Sequence, residues 1–110
     1  MDPLRKAQDL LDPWDLFAPI IDEVKRSADA LDYTAVKKAA SNLLNTLVMK
    51  ERMPGVGEAA SELFAAAAWD ASRLLDFLTA NGPLRAVESA VEGINYLIML
   101  AEREEQNHGL

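Results

Sequence analysis

GEAASELFAAAAWDASRLLDFLTA over residues 57–80, then Asn81-Gly82-Pro83, then LRAVESAVEGINYLIMLA over residues 84–101, is the stretch that decides the fold of this chain. Apolar residues recur at alternating steps of three and four in both segments: Ala60, Leu63, Ala67, Ala71, Leu74 and Leu78 in the first, Leu84, Val87, Val91, Ile94, Ile98 and Ala101 in the second. That spacing lines each set along one stripe of an α-helix. Asn-Gly followed at once by proline ends the first helix and opens the next, because Asn and Gly accept the left-handed turn and proline cannot continue a helix. The pair therefore reads as an antiparallel hairpin whose two stripes face each other.

Working outward, Met53-Pro54-Gly55-Val56-Gly57 combines a proline with two glycines and predicts a loop. Before it, Asp32 is placed to cap a helix running to about Arg52, with Val36, Ala40, Leu43, Leu44, Leu47 and Val48 on one stripe. Leu16, Phe17, Ile20, Ile21, Val24, Ala28 and Leu31 carry a further helical period, and Asp12-Pro13 supplies a start signal, so a first long helix is expected over residues 13–31. Pro19 interrupts that span and must either bend the helix or begin it. Asp2-Pro3 repeats the start signal and predicts a short lead-in helix through about Leu11. The tail after residue 101 is polar and is expected to fray.

The expectation is thus an all-α protein: an antiparallel four-helix bundle with a short N-terminal lead-in helix, in one domain over residues 1–110. A first helical pair occupies 1–53 and a second 57–105. With 110 residues, half of them apolar, the chain has room for one core and no second domain.

The formal charge of −7 opposes binding to phosphate backbones and to anionic lipid, so neither nucleic acid nor membrane is expected as a partner. Lys25, Arg26, Lys37 and Lys38 form the densest basic group, but acidic residues are interleaved with them and no aromatic platform accompanies them. The absence of cysteine excludes disulfides, thiolate zinc sites and cysteine nucleophiles. No apolar run is long enough to span a bilayer, and charged residues stand at the N-terminus where a signal peptide has its apolar stretch, so a cytoplasmic protein is expected.

Around Ile94 to Ala101 the last helix is apolar almost all round, with Tyr96, Met99 and Leu100 off the main stripe, while Trp69 and Phe77 lie off the stripe of the preceding helix. A helix apolar on every side needs cover on every side, which one four-helix bundle does not supply. These five residues therefore predict a second buried surface. The simplest form is a homodimer made by the C-terminal hairpin, which a further protein partner could also use. Serines without a neighbouring histidine support no hydrolase, and no catalysis or cofactor is expected on this reading.

A second reading comes from the carboxylates. Glu58 and Glu62 lie one helical turn apart, and Glu88, Glu92 and Asn95 form another row. The segments GEAASELFAA and VEGINYLIMLAERE resemble the two metal-binding helices of the all-α nucleotide pyrophosphatases of the MazG type, with EExxE on one helix and ExxD on the next. The resemblance implies hydrolysis of nucleoside triphosphates with Mg2+ held by Glu58, Glu62, Glu92 and Asn95. Ala59 stands at the second adjacent acid of the first motif, and Asn95 replaces the aspartate of the second. Finally, Arg103 and His108 resemble the Arg-x4-His motif of the HEPN ribonucleases, although only Gly109 and Leu110 follow it.

Overall fold

The computed structural model describes residues 16–108, and the side chains up to residue 107. Four helices pack together: α1, Ala18–Asp29; α2, Tyr33–Glu51; α3, Glu58–Thr79; and α4, Val87–His108, the last entered through a 3-10 turn at Leu84–Ala86. No strand occurs among the described residues. The lead-in helix expected before residue 12 lies outside them.

Each helix begins where local chemistry supplies a start. The Asp32 carboxylate accepts from the backbone N–H of Ala35 at 3.1 Å and caps α2. Pro19 stands in the first turn of α1, where its missing N–H has no intrahelical partner to lose. It therefore starts the helix rather than kinking it, and Leu16 and Phe17 precede α1 instead of belonging to it. This shortens the helix expected over 13–31 to twelve residues. Gly57, at φ 91° and ψ 151°, occupies the cap position of α3 in backbone space that only glycine enters freely.

Two helices end in the same way. At the end of α3 the Gly82 N–H donates to the Phe77 carbonyl at 2.9 Å and the Asn81 N–H to that of Leu78 at 3.0 Å, with Asn81 left-handed at φ 62°. This is the double hydrogen-bonded Schellman stop. The end of α1 repeats it, with Asp32 donating to Ser27, Leu31 to Ala28, and Leu31 at φ 58°. Leu31, expected on the apolar stripe, thus lies past the helix and is 75% exposed.

The core is continuous through all four helices. The whole expected stripe of α4 and its entry turn is buried, from Leu84 and Val87 to Ala101. On α3 the expected Leu63 is only half-buried against the core, and its neighbour Phe64 is fully buried instead. Phe64 stacks on Phe17 with ring centroids 5.8 Å apart, which ties the residue just ahead of α1 to the N-terminal part of α3. Burying a ring of that size stabilises the fold by about 2–3 kcal/mol. Leu44 and Val48 of α2 are likewise half-buried at the core edge.

The tail does not fray at residue 101. Helix α4 continues to His108, and Glu105 explains how: its carboxylate lies 2.9 Å from Lys50 Nζ, with both side chains largely shielded, and Lys50 also sits 5.7 Å from the Phe64 ring centroid. At the same end Ser61 Oγ donates to the Glu51 carbonyl at 2.8 Å, satisfying an orphan acceptor at the end of α2. The opposite end is tied by Tyr33, whose hydroxyl donates to the Gly82 carbonyl.

Candidate functional site

Helices α3 and α4 run antiparallel, and the residues that share surface depressions set their register. Asp70, Arg73 and Phe77 of α3 line one groove with Ala86, Ala90 and Gly93. Glu58 shares another with Glu104 and Asn107. Position 70 is thus level with about 93, and 77 with about 86.

This register separates the carboxylates. Glu62 lies level with about residue 101, and Glu92 with about residue 71, nine residues further along α3 (71 − 62), or roughly 14 Å at 1.5 Å per residue. Glu92 instead lies 3.6 Å from Lys25 of α1, and the Asn95 amide approaches Met99 Sδ at 3.9 Å on its own helix. Glu58 faces the far end of α4. Among the described residues no group of three or more His, Asp or Glu side chains is placed to hold a metal ion. The acids named by the pyrophosphatase resemblance are therefore not brought together within one chain. Arg103 and His108 both belong to α4.

Of the basic group, Lys25 meets Glu92 and Arg26 pairs within its own helix. Arg26 bonds Asp22 at 3.0 Å and Glu23 at 2.9 Å on the exposed side of α1. Such surface pairs contribute little, about 0–1 kcal/mol each.

The apolar residues behave differently. Trp69 is 69% exposed, Tyr96 62%, Met99 51% and Phe77 36%, while Leu100 is half-buried. On α3, Trp69 points almost opposite to the buried stripe of Ala67, Ala71 and Leu74; on α4, Tyr96 stands in the same relation to Ile94 and Ile98. Both therefore project from the outer face of the hairpin. In the hairpin register Tyr96 is level with about residue 67, so Trp69 and Tyr96 both project from the outer face near the exposed Ala66, whereas Met99, half a turn around α4 from Ala90, lies on the side of Glu92 and α1.

Along the same outer face lies a groove, an open depression of about 690 Å3 between α3 and α4. Its size falls within the range of small-molecule sites, and its walls are mainly apolar. It exists because α4 presents only small side chains there: Ala86, Ala90 and Gly93 leave a furrow that larger residues would fill. A Cβ built on Gly93 meets nothing within 4 Å. The far end is closed by Phe77, whose ring lies directly over Gly82. Among the described residues, Asp70, Arg73 and Asp76 on its rim make no ion pair.

Sequence periodicity does not reveal the groove, since an alanine off the apolar stripe reads as neutral surface. The one available signal is Gly93 itself, a glycine in a helix interior that costs about 1 kcal/mol relative to alanine. Within the alanine-rich run of α3, Ala67, Ala68 and Ala71 are buried, whereas Ala65 is half-buried and Ala66 exposed. No helix among the described residues is long and apolar enough to cross a membrane. Compared with protein-family models, curated proteins and solved structures, the chain matches none of them.

Proposed function

We propose that this chain is a helical protein-protein interaction module that forms a homodimer through the outer face of the α3/α4 hairpin and carries out no catalysis. The observation that supports it is the exposure of Trp69 and Tyr96 on the outer face of the hairpin beside an apolar groove, with Met99 exposed further around α4. Water gains nothing from wetting these side chains, and exposed patches of this kind mark association surfaces. A further protein is able to use the same surface when the second copy is absent.

The test is molar mass in solution by light scattering, from micromolar to millimolar protein, for the wild-type chain and for Tyr96→Glu and Met99→Glu. A concentration-dependent dimer that the charged variants dissociate, with helix content unchanged, supports the module. A monomer throughout the range in all three chains removes the homodimer.

The metal-dependent pyrophosphatase remains a distinct alternative, resting on Glu58, Glu62, Glu92 and Asn95. A dimer that brings the acids of two chains together is the arrangement it needs. Thermal melts with Mg2+ or Mn2+, each with and without nucleoside triphosphates, test it directly, since a ligand bound only by the folded state raises the midpoint. A shift that requires both metal and nucleotide brings this alternative forward.

The N-terminal lead-in helix belongs to the same proposal. Helix α1 has twelve residues against nineteen and twenty-two for the others, so it covers only part of the length of the core. Asp2-Pro3 supplies the start signal for a short lead-in helix through about Leu11.

A further inference from the structure

We infer that the groove between α3 and α4 is the socket for the Trp69 side chain of a second copy, so that two indoles are exchanged across a two-fold axis. This rests on the homodimer proposed above and specifies how it is built.

The argument is one of self-complementarity. A two-fold interface uses the same patch twice, so a patch suited to it must hold a protrusion and a matching depression on either side of the axis. Along the outer face of the hairpin the protrusion comes first: Trp69 and Tyr96 fall level with positions 67–69 of α3. The depression follows, between positions 70 and 77, opposite Gly93 and Ala86. Rotating a second copy by 180° about an axis near residues 70–73 lays each protrusion over the other copy's depression. A partner without this symmetry has no reason to match both features.

Charge agrees with shape. Asp70 and Arg73 sit at the axis and make no ion pair among the described residues. In the two-fold arrangement Asp70 of each copy meets Arg73 of the other, which gives two reciprocal pairs without like charges opposed.

The exposed apolar area is concentrated in few side chains. An aromatic side chain offers about 150–250 Å2, so the exposed fractions of Trp69, Tyr96 and Phe77 amount to roughly 300–400 Å2 per copy, nearly half of the about 800 Å2 that a standard interface buries on each partner. Trp69, the largest and most exposed of the three, is the natural anchor, since tryptophan seated in a desolvated pocket dominates many interfaces.

The experiment measures the dimer dissociation constant by sedimentation equilibrium for wild type, Gly93→Leu, Trp69→Ala and the double variant, with circular dichroism to show that each retains its helix. Gly93→Leu fills the socket from within an exposed helix position and favours the helix. Each single variant is expected to weaken the dimer by about tenfold or more, and the double variant to be no weaker than the worse single, because both remove one contact. Trp69→Phe is expected to restore part of the affinity that Trp69→Ala loses. In a Trp14→Phe chain, Trp69 emission is expected to shift to the blue as the dimer forms. A dimer whose affinity neither Gly93→Leu nor Trp69→Ala alters overturns the exchanged indole while leaving the homodimer standing. A wild-type chain that is monomeric at every concentration overturns both.

Discussion

The hydroxyl of Tyr33 donates a 2.5 Å hydrogen bond to the carbonyl of Gly82, joining the first turn of α2 to the turn of the C-terminal hairpin across 49 positions of sequence. The same oxygen lies 3.4 Å from the Asn81 carbonyl. The start of α2 and the α3/α4 turn are thereby clasped at one pole. Tyr33→Phe removes the donor and leaves the ring, so the expected loss is about 1 kcal/mol, or a fall of roughly 4 °C in melting temperature. Thermal and urea unfolding read it, and an unchanged midpoint shows that water replaces the bond at no cost.

Gly82 is required for a different reason from most turn glycines, because a Cβ on it would run into the Phe77 ring. Phe77 precedes Gly82 by five residues, the separation at which the Schellman stop packs its flanking residues together. Gly82→Ala is expected to cost about 1–3 kcal/mol as the ring is pushed off. In a Phe77→Ala chain the same change is expected to be nearly free. A double-mutant cycle by denaturant unfolding measures the coupling, and additive effects would refute the contact.

Leu31 occupies a left-handed position that glycine fills without strain, and its side chain is largely in water. Leu31→Gly is therefore expected to stabilise the protein by about 1 kcal/mol, against the usual destabilising effect of glycine. Urea midpoints compare the two chains. A lower midpoint for the glycine variant would show that the Leu31 side chain contributes contacts that outweigh the backbone strain.

Lys50 and Glu105 form a largely shielded pair over the edge of the Phe64 ring, and their partial burial makes the two partners unequal as targets. Replacing Lys50 by methionine keeps the apolar stem over the ring and leaves behind the Glu105 carboxylate, the better solvated of the two groups, so Lys50→Met is expected to cost less than about 1 kcal/mol. Glu105→Ala strands the ammonium group instead. Allowing for residual solvent access, it is expected to cost about 1–2 kcal/mol and to speed amide exchange in the last two turns of α4. Equal losses for the two variants argue against this asymmetry.

Much of the architecture is legible from local pattern. The buried stripe of α4, the cap at Asp32, the loop around Gly55 and the stop at Asn81 all follow from residues within a few positions of one another, because helical period and capping are short-range effects. Where a local signal competes with packing, the structure decides. Asp12-Pro13 and Pro19 both offer starts for the first helix, and α1 begins beside Pro19, with Phe17 just ahead of it stacked on Phe64. The polar tail lacks an apolar stripe, yet α4 persists through it because Glu105 meets a lysine 55 positions away.

The sequence by itself determined that four helical segments form, where most of them stop, and that Trp69, Phe77, Tyr96 and Met99 exceed what their own stripes need. Only the tertiary structure decided which of these residues stay exposed and that a groove opens beside Trp69 and Phe77. The reason is physical: period is written into one helix, whereas register and grooves arise from two helices packed side by side, and small residues such as Ala90 and Gly93 acquire meaning only from the space their neighbours leave.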